Sequence, residues 1–289
     1  MNNELFYNER LVFDKEEALV TSRFARATSF LRVMPDIFII GVQKGGTTSL
    51  YDNLLQQPQI ISSKTKEMFY YGNNSSFGKG KSYYKQFFAT KYYKTAKQNK
   101  INLPVYSMDA STDTFENLNS PTRILKDNKN AKVILLLRNP AERAFSHYNF
   151  SVKKGFELTQ FENALKLEEE RIGTAENNKF ADKNHNYAFY RLGYRSRGIY
   201  CDNVANWLKV IPQNNIYINC SEEYFDNPKK IVEEICEFLG IQKAENIIFK
   251  KLNEGSHNKI NPETFNLLNK FYQPFNEKLF NIIGKKFNW

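Results

Sequence analysis

The chain of 289 residues carries 41 Lys plus Arg against 31 Asp plus Glu, for a formal net charge of +10, and is 41% hydrophobic and 15% aromatic. That length and apolar content allow one large α/β domain or two small ones, and the basic balance favours phosphorylated, sulfated or carboxylated partners, or nucleic acid. The charge is scattered and forms no long basic block, so a nucleic-acid tail is not expected; no apolar run reaches membrane-spanning length, and M-N-N-E-L-F-Y-N-E-R lacks the pattern of a signal peptide.

Cys201, Cys220 and Cys236 are odd in number and have no C-x-x-C spacing, which suggests neither a disulfide framework nor a zinc site. His147, His185 and His257 lie far apart in sequence and make a poor metal set. These features suit a reducing cytoplasm.

Residues 1–35 are polar with scattered aromatics and end at Pro35; they are expected to form a partly ordered N-terminal arm. Asp36 to Ile40 is a short apolar run rich in β-branched residues, the pattern of a buried strand. Gly41 to Thr48 contains three glycines, one lysine and two threonines, and from Ser49 onward the spacing turns helical. Strand, glycine-rich turn and helix make a phosphate-binding geometry: glycines let the backbone approach an anion, and the N–H groups of the helix start point at it. The nucleotide triphosphatase loop needs lysine directly after the last glycine. Here Thr47 follows Gly46, and the lysine stands earlier, at Lys44.

Ile60 to Gly72 reads as extended and aromatic and carries Lys64, Lys66 and Glu67. On composition alone, a glutamate in such a charged stretch is a solvated surface residue. Asn73 to Gly80 has the residues of a loop, Tyr83 to Phe88 is expected to be helical, and Pro104 to Asp109 reads as a second strand. Ser120-Pro121 opens a helix. Ala131 to Leu137 is the clearest buried strand and runs straight into R-N-P-A-E-R-A-F-S-H-Y. Leu158 to Arg171 is amphipathic at helical spacing, and residues 177–186 are polar and loop-like. Arg195 and Arg197 follow Tyr194, and Ile216 to Asn219 is a strand. The segment from Tyr224 leads into a helix ending at Phe238 to Gly240. Asn261-Pro262 starts the last helix.

G-V-Q-K-G-G-T-T-S-L resembles the 5′-phosphosulfate loop of sulfotransferases that use 3′-phosphoadenosine 5′-phosphosulfate (PAPS). Arg138, Pro140, Arg143 and Ser146 are similar to that family's 3′-phosphate motif, with Asn139 where an aspartate is usual. Glu67, followed by Met68, Phe69, Tyr70 and Tyr71, matches the segment of glycosaminoglycan sulfotransferases that carries the catalytic glutamate. In D-A-S-T-D, Asp109 keeps an acid, but Ala110 replaces a lysine that some relatives place there. Tyr194 to Val210 resembles a helix of that family, and the last helix and F-N-W end resemble heparan sulfate sulfotransferase domains, so the resemblance runs from about Asp36 to Trp289.

The resemblance implies one domain over 36–289, α/β and P-loop-like, with a mostly parallel sheet flanked by helices and the nucleotide at the carboxyl ends of the strands. It implies sulfuryl transfer from PAPS to a hydroxyl or amine, on a saccharide or polysaccharide that is possibly anionic, giving PAP, with no metal expected. Glu67 takes the acceptor's proton and Lys44 meets charge on the bridging oxygen. Lys44, Gly45, Gly46, Thr47, Thr48 and Ser49 hold the 5′-phosphate side. Arg138, Ser146 and Lys259 hold the 3′-phosphate, and Lys66, Arg195 and Arg197 are candidates for acceptor contact. His147 stands second to Glu67 as the base. Two rivals stay open at this point: a P-loop kinase-like phosphotransferase, and a non-catalytic basic glycan-binding protein.

Overall fold

The computed structural model describes residues 23–173, 187–249 and 259–289. The expected loop at 177–186 lies outside these residues, as does most of the N-terminal arm. The described end of that arm forms a short helix, Arg23–Ala27, and a 3₁₀ turn, Ser29–Leu31, with Ala25, Ser29 and Val33 buried against the domain.

Five strands form one sheet: β1 (Ile37–Gly41), β2 (Ile60–Ser62), β3 (Tyr106–Ala110), β4 (Lys132–Leu137) and β5 (Ile216–Cys220). Their spatial order is β2-β3-β1-β4-β5, and all four pairings are parallel. The longer helices are α1 (Thr47–Leu55), α2 (Lys91–Ile101), α3 (Ser120–Asp127), α4 (Pro140–Lys153), α5 (Cys201–Val210), α6 (Pro228–Leu239) and α7 (Pro262–Ile283).

The unbroken apolar runs of β1 and β4 follow from burial on both faces of the sheet. Side chains alternate along a strand, so Phe38, Ile40, Val133, Leu135 and Leu137 join one core cluster. Ile37, Ile39, Ile134 and Leu136 join the other, with Leu50 and Leu54 of α1 and Ile231 and Ile235 of α6. Each such side chain, fully removed from water, contributes about 1.5–3 kcal/mol.

Several expectations about local structure need correction. Tyr106–Ala110 is the third strand, because Ile60–Ser62 pairs with it as a short edge strand. The helix near Tyr83 is Gly80–Lys85. The amphipathic stretch from Leu158 divides into Phe161–Lys166 and Glu168–Ile172. Of Tyr194 to Val210, only Cys201–Val210 is α-helical. Glu168 lies fully buried and accepts from the Arg195 and Ser196 N–H groups and the Ser196 hydroxyl, which bends the chain into a 3₁₀ turn at Ser196–Gly198.

Because every strand is parallel, all five carboxyl ends share one edge. The segments that follow them carry Lys44, Glu67, Thr112, Arg138 and Ser221. The chain builds β2 and β3 on one side of β1 and β4 and β5 on the other, which opens a crevice beside β1.

Candidate active site

The glycine-rich turn between β1 and α1 is held by close packing. A side chain at Gly45 would place its Cβ 2.6 Å from the Leu136 carbonyl oxygen, and one at Gly46 would meet the Phe225 ring at 2.7 Å. Gly46 is also left-handed, at φ 82°, where glycine carries no steric penalty. Ser221, at the end of β5, donates through its one hydroxyl toward the Gly45 and Leu137 carbonyls at 2.7 and 2.8 Å, tying the turn to the sheet. α1 has no side-chain cap at Gly46, and an α-helix leaves its first N–H groups without an intrahelical partner. Those N–H groups and the dipole of the helix favour an anion at this end.

Lys44 is itself left-handed, at φ 70°. Its ammonium lies 5.1 Å from the centre of the Phe150 ring on α4. Its pKa is lowered from the ordinary lysine value, first by burial and then by the positive charges of Arg138 and Lys153. Arg138 leaves β4 and donates from Nη1 to the Lys44 carbonyl at 3.0 Å. Its other contact is a loose 3.6 Å pair with Glu142. Helical spacing puts Glu142, Ser146, Phe150 and Lys153 along one side of α4, and Ser146 is half-buried there. Lys44, Arg138 and Ser146 therefore border the same crevice. Asn139 starts α4 as its cap, its side-chain oxygen accepting from the Ala141 and Glu142 N–H groups at 2.9 and 3.2 Å. Asparagine caps a helix about as well as aspartate, so the departure from the family pattern leaves the turn intact.

On the other side of β1, Glu67 is brought to the glycine turn by Lys66. The Lys66 ammonium donates to Thr48 Oγ1 and to Glu67 Oε1, each at 3.0 Å. Glu67 Oε2 accepts from the Thr112 N–H and hydroxyl at 2.8 and 3.1 Å. Two further carboxyls stand nearby. Asp109 is buried, and burial pushes its pKa up to about 6 even though Tyr84 and Ser111 donate to it at 2.6 and 3.2 Å. Asp113 is buried with Oδ2 unpartnered, and burial, then the charges of Glu67 and Asp109, hold its pKa well above the carboxylate range. Of the three, Glu67 alone reaches solvent, its side chain 28% exposed against 2% for each aspartate residue.

The remaining expected site residues fall in different places. Thr47 is buried at the start of α1 and Thr48 is exposed. The Ser49 hydroxyl is buried and shares a 2.9 Å hydrogen bond with Tyr224, turned toward the core. Arg197 is 3% exposed; it pairs with Glu116 at 3.1 Å, donates to the Tyr190 carbonyl at 2.9 Å and binds the Gln43 side chain in the glycine turn. It thus braces the loop from beneath. Arg195 is partly exposed, paired with Glu169 at 3.2 Å and lying over the Phe271 ring. Lys259 is exposed at the lead-in to α7. His147 is fully buried behind Ser146, edge-on to Tyr194, and burial with Arg197, Arg143 and Lys44 drives its pKa well below the usual histidine value. Ser221 carries a supporting role that no motif marks; Thr112 lies inside D-A-S-T-D and Gln43 inside G-V-Q-K-G-G-T-T-S-L, where order alone does not give their partners.

Among the described residues, no group of His, Cys, Asp or Glu could hold a metal ion, and no helix is long and apolar enough to cross a membrane. The three cysteines are free and buried.

Comparison with known proteins agrees with this geometry. The chain is 26% identical to the membrane-associated sulfotransferase kil1 of Dictyostelium discoideum, over 90% of this chain and 67% of that protein. It is 25% identical to human heparan sulfate glucosamine 3-O-sulfotransferase 5, over 99% of this chain and 82% of that one. In fold it is similar to the crystal structure of a sulfotransferase from Alicyclobacillus acidocaldarius, with a TM-score of 0.66 and 22% identity over 88% of this chain and 98% of the other. The sulfotransferase domain family matches residues 34–273. The chain belongs to that family and is a sulfotransferase.

Proposed function

We propose that this sulfotransferase moves a sulfuryl group from PAPS to a hydroxyl of a saccharide acceptor and releases PAP. The observation that carries the proposal is the Lys66 bridge, which links the carboxylate of Glu67 to Thr48 at the mouth of the glycine turn. A proton acceptor and an anion-binding helix start are what transfer between a hydroxyl and a phosphosulfate requires. The residues suit such a donor. Burial first, then the positive charges of Arg138 and Lys153, lower the Lys44 pKa, and a bound polyanion relieves that repulsion.

In this proposal PAPS supplies the sulfuryl group. Gly45, Gly46, Thr47 and Thr48 hold its 5′ side through backbone N–H groups and hydroxyls, and Arg138 and Ser146 hold the 3′-phosphate through a guanidinium and a hydroxyl. Lys259 lends an exposed charge to the same end. The Ser49 hydroxyl, engaged by Tyr224, contributes its backbone only. Glu67 takes the acceptor proton, while Lys44 carries charge that develops on the departing phosphate. Lys66 and Arg195 face the acceptor, and Arg197 acts through Gln43 on the loop. A glycan containing glucosamine is the acceptor class favoured by the heparan sulfate glucosamine 3-O-sulfotransferase relatives. Free buried thiols suit a reducing compartment such as the cytoplasm.

The test pairs labelled PAPS with a panel of amino-sugar polysaccharides, neutral polysaccharides and phenols, alongside thermal stability with PAP or with ATP and magnesium. PAP should raise the unfolding temperature well above ATP–magnesium, since a ligand selective for the folded state must stabilise it. Arg138→Ala should lose most of the preference for PAP over the nucleotide lacking a 3′-phosphate. Equal stabilisation by PAP and ATP–magnesium, or label transfer confined to phenols, overturns the proposal.

A further inference from the structure

Four described non-glycine residues have left-handed backbone: Lys44, Glu67, Phe69 and Asn102. Asn102 is ordinary, because it ends α2 as its cap, a position where asparagine commonly adopts this conformation. Lys44 and Glu67 are the two groups assigned to the chemistry. Phe69 remains, at φ 51°. A bulky side chain in this region costs free energy that the surrounding structure must offset, and such residues cluster at functional sites.

Burial does not repay the cost at Phe69, which is 43% exposed. Its neighbours behave differently: Met68 and Tyr70 are buried in the core cluster beneath the sheet edge, and Tyr70 stacks on Tyr84 at 4.1 Å. The segment therefore sends Met68 and Tyr70 inward and leaves Glu67 and Phe69 on the outer side. Glu67 is fixed there by Thr112 and Lys66, and its own N–H donates to the Ala110 carbonyl at 2.9 Å. An aromatic ring, partly bare, stands two residues along the chain from Glu67, on the same outward side of this segment.

We propose that Phe69 is the platform for the acceptor, its ring carrying the apolar C–H face of the sugar whose hydroxyl meets Glu67. This rests on the proposed glycan acceptor. Aromatic surface with a few well-placed polar groups is the usual lining of a small-molecule site, and a sugar ring is apolar on its faces and polar at its rim. Phe69 thus fixes which face of the ring lies down, and so which hydroxyl points at the base.

The experiment uses the full chain saturated with PAP, titrated by calorimetry with an oligosaccharide of alternating glucosamine and uronic acid. Phe69→Ala should weaken oligosaccharide binding about tenfold or more, the scale of one lost aromatic contact. Phe69→Trp should keep it, and PAP affinity should be unchanged in both. A purely structural turn predicts no loss of oligosaccharide binding in a folded Phe69→Ala protein, and that result overturns the proposal. A wild type that binds PAP but not the oligosaccharide also overturns it while leaving the donor assignment standing. A wild type that fails to bind PAP sinks the proposed function itself. Stability gives an independent arm: at a left-handed position Phe69→Gly should melt above Phe69→Ala, whereas at an ordinary position alanine is the more stable. The reverse order removes the strain on which the proposal stands.

Discussion

The two sides of the crevice are built by different means. The phosphate side, from Lys44 to Thr48 and from Arg138 to Ser146, consists of strand ends running directly into helix starts. In the proposed function its backbone supplies most of the binding groups, and its glycines are required by contacts such as the 2.6 Å approach at Gly45. The acceptor side, Lys66 to Phe69 together with Asp109 to Asp113, has no helix start of its own. It consists of strained backbone at Glu67 and Phe69, buried carboxyls at Asp109 and Asp113, and a salt link from Lys66. The difference follows from what each must hold. A phosphate is the same in every donor, and a local motif suffices for it. An acceptor needs one hydroxyl aimed at one carboxylate, and that takes residues from several strands.

The largest expected effect separates the two sides. Glu67→Gln keeps the shape of the side chain but cannot accept a proton. Turnover should fall by about a hundredfold or more while PAP affinity stays within experimental error. Turnover with a working acceptor, beside PAP titration, reads both; near-normal turnover would move the base elsewhere. His147 is a poor substitute, being fully buried behind Ser146.

Lys44→Ala should break the division, because in the proposed function Lys44 serves binding and chemistry together. Turnover should drop by about a hundredfold, and PAP binding should weaken by about tenfold. The pH dependence sharpens this. The Lys44 pKa is lowered in the free protein, so bound anion raises it again and binding takes up a proton. PAP affinity should therefore fall as pH rises through the lowered value, below the ordinary 10.5, and Lys44→Met should flatten that slope. An identical slope in both proteins would assign it to another group.

The smallest effect belongs to the acceptor side alone. Burial raises the Asp109 pKa from 3.8 to about 6. The folded state then holds the proton more tightly than the unfolded state, so this group's contribution to stability is fully present below about 3.8. It is lost as pH rises through about 6. The unfolding temperature of wild type minus that of Asp109→Asn should decline over that window and level off above it. A flat difference would show that folding leaves the Asp109 pKa unshifted, and one that grows with pH would show it lowered; either result contradicts the raised value. PAP affinity should not follow this titration, since Asp109 lies on the other side of β1 from Arg138.

Much of the phosphate side was legible in residue order alone. The β-branched run, the glycines and the helical spacing that follow Asp36 dictate strand, turn and helix by local chemistry, and Ala131 to Arg138 does the same for the second half of the crevice. The resemblance to PAPS-dependent sulfotransferases rested on those stretches. The unbroken apolar runs of β1 and β4 likewise marked buried strands, while the parallel sheet was implied by the resemblance.

Tertiary structure decided what contacts distant in sequence decide. Arg197 looked like a basic group at a helix start, yet Glu116, Gln43 and the Tyr190 carbonyl enclose it and make it a brace for the loop. Ser49 stood in register with the phosphate-binding residues, yet Tyr224 arrives from α-helical chain far along the sequence and takes its hydroxyl. Glu67 would have been a solvated charge on composition alone; Thr112, across the β2–β3 edge, holds it in place, and left-handed backbone turns it outward. Hydrophobic periodicity and glycine chemistry act within a few residues and so can be read from order. Which polar group is buried, and by what partner, depends on strands meeting at one edge of the sheet, and that meeting exists only once the chain has folded.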